Sequence, residues 1–279
     1  MTGNEFGKKS YAYAVGCIKA SSHPPLTPDR LARLQNVERE DFPKLLDEFG
    51  WGKGIEGSVS ERIDGEFDYA VRFIKDLSPD KTLTDLLFFE TDAVNLKLFT
   101  KARLSGRDVT DIAERGGSIP IDLLRGSVTA WDFTLISETV NDEMKDYENE
   151  RDPFVLSSVC DRAIFLHTLE KAKKKNSSLY RMLLRYGEEK NKIAEARLAR
   201  LGMSREGIKK LLLPVSHISP DTEKNTPDDI VAAAKKGIET AMGELKAGEN
   251  FAPIAEYYFA KKNEASELRR LWIEKGGAR

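Results

Sequence analysis

Across 279 residues, 44 lysines and arginines face 46 aspartates and glutamates, for a net charge of −2, and 40% of the chain is apolar against 32% charged. That balance describes a water-soluble chain with a core to bury and excludes a global electrostatic pull toward nucleic acid or anionic lipid. No run approaches the ~18 apolar residues of a membrane span, and MTGNEFGKKSYAYAVG at the start lacks the apolar stretch of a signal peptide, so a cytosolic protein is expected.

In chain order, Tyr11–Ala20 (YAYAVGCIKA) reads as a short packed helix stopped by Ser21, Ser22 and Pro24-Pro25. Thr27-Pro28-Asp29 opens the next, with a hydroxyl cap, proline at the first helical position and an acid in the first turn. Asp41–Phe49 follows, with Gly50 as its stop. Gly52, Gly54 and Gly57 spell G-x-G-x-x-G, but no strand pattern precedes them, so a helix stop and loop is expected rather than a nucleotide cradle. Phe67–Leu77 is amphipathic and broken by Ser78-Pro79. Leu86–Leu104 (LLFFETDAVNLKLFTKARL) reads as one amphipathic helix. Two short helical pieces flank Gly116-Gly117 and Pro120 within Arg107–Arg125. Longer helices are expected over Trp131–Asp146, Phe154–Lys174 and Leu179–Leu201. Lys171 and Lys173–Lys175 crowd the end of the second of these, where the helix dipole favours cations and lipid phosphates would also be attracted. A short helix runs from Ser204 to Pro214, and Val215–Asn225 is a polar loop. Thr226-Pro227-Asp228-Asp229 starts Ile230–Leu245, and Ile254–Lys275 closes the chain. Gly50–Gly57 and Val215–Asn225 are the expected mobile contact loops. Period-2 alternation is absent throughout, so the class is all-α.

One pattern recurs. Leu86–Leu104 carries Asp92, Asn95, Leu96 and Lys97; Leu179–Leu201 carries Glu188 and Asn191; Ile254–Lys275 carries Glu264, Glu267, Leu268 and Arg269. Each time an acid stands three residues before an amide or second acid, and an apolar helix comes before. Asn95 and Asn191 are 96 positions apart, Asn191 and Glu267 76. Such intervals exceed solenoid periods and suggest a lobe built three times. Residues three apart are neighbours on a helix, so the expected role is a polar pin between packed helices that fixes register. Glu264 is expected to meet Glu267 or to pair with Arg269 or Arg270.

Chemistry is sparse. His23, His167 and His217 form no zinc-peptidase or di-iron pattern. Cys160 and His167, seven apart, are two ligands without a third. The two cysteines, Cys17 and Cys160, make no disulfide framework. Phosphate-loop and nucleophile-elbow motifs are missing. Asp142-Glu143-Met144-Lys145-Asp146 has a spacing that can hold Mg²⁺ and a diphosphate in a prenyl-type enzyme. However, Asp228-Asp229 lacks the third acid of a partner motif, so a solvated helix end is expected. The expectation is no catalytic, cofactor or metal site.

These stretches resemble the C-type component of the V/A-type rotary ATPases, called d in the eukaryotic vacuolar enzyme. YAYAVGCIKA is similar to that family's YAYAVGRIRA-like opening, and Asp92-Ala93-Val94-Asn95-Leu96-Lys97 to its D-x-x-N-L-K element. Asp161-Arg162 followed by Glu188-Glu189-Lys190-Asn191 resembles its middle lobe. Pro253-Ile254 through Tyr257, then Glu264 to Arg269, resembles its closing P-I-x-x-Y…E-x-x-x-L-R element. The chain departs from the pattern at Lys192-Ile193 and at Glu267, where an amide is common. The resemblance implies a funnel-shaped, all-helical protein of three similar bundles around a pseudo-threefold axis, divided near 1–105, 106–214 and 215–279 with the terminal segments able to pack together. It also implies a non-catalytic central-stalk adaptor without cofactor, small-molecule substrate or nucleic acid. Its partners would be the D/F-type shaft subunits and the proteolipid ring, on the cytoplasmic face of the membrane. A general helical scaffold is the alternative.

Overall fold

Caps and glycines set the helix ends. The computed structural model describes residues 10–21, 25–113, 116–216, 225–243, 245 and 250–277, which are helices and connections without a strand. Ser10 caps α1 (Tyr11–Lys19) and Thr27 caps α2 (Pro28–Asn36), each side chain accepting a first-turn N–H. After α3 (Phe42–Glu48), Gly50, Gly52, Gly54 and Gly57 all take positive φ, so the G-x-G-x-x-G run is a helix stop and turn. Ser58 and Glu61 then form a reciprocal capping box for α4 (Val59–Leu77). This box begins α4 eight residues before the apolar stripe predicted from Phe67. Next come α5 (Lys81–Asp85), a 3-10 turn over Leu86–Phe88, and α6 (Phe89–Ser105). A 3-10 turn at Thr110–Ile112 leads to α7 (Ile121–Ala130).

The helix expected over Trp131–Asp146 is a correction. Trp131 ends α7 in the left-handed conformation at φ 55°. Asp132 then accepts from the Thr134 N–H (3.0 Å) and hydroxyl (2.7 Å), and the Phe133 N–H donates to Asn141 Oδ1 (3.2 Å). These local side-chain bonds outcompete helix formation, and α8 is only Glu138–Met144. Four helices follow: α9 (Pro153–Lys175), α10 (Ser177–Arg200), α11 (Arg205–Leu211) and α12 (Pro227–Gly243). The last is α13 (Ala252–Glu274). Most of the predicted loop Val215–Asn225, with His217, lies outside the described residues, as does His23.

Two units emerge. Unit 1 comprises the described residues within Met1–Thr84 and Lys246–Arg279; unit 2 is Asp85–Leu245. These divisions differ from the sequence divisions after 105 and 214, and they separate α4 from α6 and α12 from α13. In unit 1, α13 packs along α4, and α1 touches both. Its core joins Leu34, Phe42, Leu46, Trp51 and Ile63 to Ala265, Leu268 and Leu271, each large apolar side chain contributing about 1.5–3 kcal/mol on burial. In unit 2, α10 packs on α12 and α9, while α6 lies against α7 and α9, and α8 against α9. The helix read as amphipathic with Asp92 and Asn95 as polar pins is covered over more than half its circumference, both pins included. Glu90, Val94, Lys97 and Lys101 form one open strip along it, at helical spacing.

Candidate functional site

Asp92, Asn191 and Glu264 among the marked acids and amides reach loop backbone rather than a facing helix. Asp92, 2% exposed, accepts from Ser118 N–H at 2.8 Å, Ser118 Oγ–H at 2.6 Å and Ile119 N–H at 3.0 Å. Charge-assisted bonds of this kind are the strong ones. The loop comes so close that a Cβ at Gly117 would lie 2.5 Å from Asp92 Oδ1. On α10, Asn191 clasps one residue through both groups of its amide: Nδ2 donates to Leu213 O (2.9 Å) and Oδ1 accepts from Leu213 N–H (2.7 Å). One turn earlier, Glu188 accepts from the Ser216 hydroxyl. Asp92→Ala would leave the Ser118 and Ile119 amides without their acceptor. It is expected to cost about 2 kcal/mol, seen as a lower urea midpoint, with Asp92→Asn milder because one acceptor oxygen remains. An unchanged midpoint would mean that the loop finds other partners.

In unit 1 the same task falls to Glu264, whose Oε1 accepts from Leu26 N–H at 2.6 Å. Its Oε2 is buried with no hydrogen-bond partner among the described residues. Burial pushes this carboxyl up to about 7, with Lys261 and the Leu26 amide opposing and Glu66 adding to the rise. Glu264 does not meet Glu267, Arg269 or Arg270 as predicted. Arg269 pairs with Asp64 (2.7 Å), and Arg270 pairs with Glu267 and Glu274. Five or six positions along a helix turn a side chain away from the core, so these arginines sit on the outer face. Glu267, held there by Arg270, has no counterpart in the buried Asn95 and Asn191.

Beside Glu264 lies an ion pair the sequence did not announce. Lys261 and Glu66 are wholly buried, Nζ to Oε1 at 2.8 Å, with the ammonium 4.2 Å from the centroid of the Trp51 ring. Glu66 Oε2 accepts from Gly52 N–H at 3.3 Å, so the pair also fixes the glycine turn.

Unit 2 contains a cleft of about 330 Å³ between the open strip of α6, α9, α10 and the segment after α11. Lys97 pairs with Asp161 at 2.7 Å and Lys190 with Glu90 at 3.2 Å. Glu90 also accepts from the Tyr186 hydroxyl, and Lys190 lies 5.0 Å from the Tyr186 ring centroid. The Asn191–Leu213 clasp forms one rim.

Comparison with known families decides where such a chain belongs. The family model of the ATP synthase (C/AC39) subunit matches residues 14–238. The chain belongs to that family. Comparison with curated proteins finds no match. This is the C/d family of the V/A-type ATPases, a family of non-catalytic subunits, so membership implies a subunit role in a rotary ATPase. The matched stretch includes the pins at Asp92 and Asn191; that of Glu264 lies beyond it. Among the described residues of this family member, no helix is long and apolar enough to cross a membrane.

The other sequence candidates stand apart from these features. Asp142 pairs with Lys145 (2.8 Å) and is 65% exposed on its side chain, and Asp146 also faces solvent, so the acidic run is a solvated helix end. Cys160 is buried against Thr100 (Sγ to Oγ1 3.6 Å), and burial pushes its thiol up to about 12. His167 is pushed down to about 4, mainly by burial. No group of three or more His, Cys, Asp or Glu among the described residues is arranged to hold a metal ion. Lys171 and Lys173–Lys175 are exposed at the end of α9. The Glu66–Lys261 pair is the feature sequence reasoning missed. Its signal was a charged residue on each of two otherwise apolar helix faces.

Proposed function

We propose that this chain is the non-catalytic central-stalk adaptor of a V/A-type rotary ATPase. It stands on the cytoplasmic face of the membrane between the D/F-type shaft of the ATP-handling head and the proteolipid ring, and it passes torque between ATP chemistry and proton or sodium movement. The family match over residues 14–238 carries this reading.

The pins support the three-lobe form of the proposal. Asp92 holds the loop that runs into Pro120 and α7. Glu188 and Asn191 hold the segment upstream of Pro227 and α12. Glu264 holds Leu26, two residues before Pro28 and α2. In the first two copies the acid and its hydroxyl partner are 26 and 28 residues apart. In the third, the corresponding segment comes from the other end of the chain, so residues near Leu26 complete the lobe of Glu264. Helix-to-loop pins stiffen each lobe, and a torque coupler needs stiffness. Co-expression with the shaft subunits is expected to yield a stable complex that also retains the proteolipid ring. A folded protein that binds neither would sink the proposal.

A further inference from the structure

The cleft of unit 2 holds charge that its own residues do not balance. Asp161 answers Lys97, and Glu90 answers Lys190 while also accepting from Tyr186. Arg197, seven positions beyond Lys190 on α10, stands at the solvent-exposed mouth of the same cleft, and no carboxylate among the described residues pairs with it. Three cations therefore stand against two carboxylates. The Lys190 ammonium is held below the usual lysine range, first by burial; Asp161 opposes this, and Lys97 and Arg197 add to it. Phe89, Phe165, Ile193 and Leu213 give the wall a large apolar share, with Ser158 and Asn191 among its neutral polar members. The volume lies at the small end of ligand pockets, which are mostly apolar with a few placed polar groups.

One negative charge on a short apolar body answers both features. A dianion would reverse the imbalance, and a neutral hydrocarbon would leave Lys190 and Arg197 repelling each other. We propose that this cleft binds a small amphipathic monoanion, a carboxylate on an apolar body of about ten heavy atoms, with its headgroup between Lys190 and Arg197 and its body against Phe89, Phe165 and Leu213. The ligand is held and not turned over. The site is built from unit 2 alone and does not depend on the rotary role.

Octanoate is the probe, titrated calorimetrically into the full chain, with 1-octanol as the uncharged control of equal length. The expected result is saturable 1:1 binding with Kd below about 1 mM that weakens as salt is raised. Octanol and the Arg197→Gln variant should each bind about tenfold more weakly or worse. Val94→Trp, on the exposed edge of the cleft, should abolish binding in a chain whose circular dichroism is unchanged. The proposal is overturned if octanoate fails to saturate, if octanol binds as tightly, or if folded Arg197→Gln or Val94→Trp binds like the parent. Should Arg197→Gln fail to fold, Val94→Trp and the octanoate–octanol difference decide the matter.

Discussion

Lys261→Met is expected to lower the free energy of unfolding by about 3–5 kcal/mol, the range for breaking a buried ion pair from one side. The reason is what remains rather than what is lost. Lys261 and Glu66 are both wholly inside unit 1, their charged atoms 2.8 Å apart. Methionine fills the space of the lysine stem but leaves the Glu66 carboxylate in low dielectric without its cation. Trp51 loses the ammonium over its ring, and the Gly52 turn loses a firmly held acceptor. Replacing both partners, Lys261→Met with Glu66→Leu, removes the stranded charge and is expected to cost less than Lys261→Met alone. Urea unfolding of the two singles and the double gives the coupling energy. Singles within about 1 kcal/mol of the parent, with an additive double, would refute this account.

The second large effect is a pH dependence of unit 1. Glu264 has its carboxyl raised to about 7 in the folded chain against an ordinary 4.5. Between those values the folded state holds a proton that the unfolded state has released. The stabilisation is therefore fully present below about 4.5 and is lost as pH rises through about 7. The difference corresponds to on the order of 3 kcal/mol across the window. Glu264→Gln keeps a neutral acceptor for the Leu26 amide and should remove this slope. Urea midpoints at both ends of the window, for parent and variant, measure it. An equal slope in Glu264→Gln would assign the dependence to other groups.

The local parts of the fold were legible because their causes are local. Thr27-Pro28 and Thr226-Pro227 start helices through bonds spanning three residues, and both helices lie where the sequence placed them. The loop at Trp131 was not legible as a break. Its apolar spacing continues a helical pattern, while the deciding bonds, from Asp132 to Thr134 and from Phe133 to Asn141, are contributed by side chains that sit equally well on a helix surface. Ser58-x-x-Glu61 did carry a readable start signal for α4, ahead of its first strongly apolar stretch. The pins divide in the same way. Their residues were marked by burial pattern, polar groups recurring on apolar helices. Their partners were not, because Asp92 reaches 26 residues, Asn191 reaches 22 and Glu264 reaches 238. Gly117 was the one local hint, since only a residue without a Cβ lets the loop approach Asp92 so closely.

The bond between Glu264 and Leu26 has a consequence for how the protein is made. Unit 1 needs α13, made long after α1 to α4, before its first helices have their packing partner. At about 5–20 residues per second, translation from Thr84 to the end of α13 at Glu274 takes on the order of tens of seconds. During that interval unit 2 has everything it needs to fold, whereas the nascent N-terminal helices expose the faces of Leu34, Phe42 and Ile63. Folding order thus runs from unit 2 to unit 1, and α1 to α4 are the part whose exposed apolar faces most need chaperone cover until α13 has emerged.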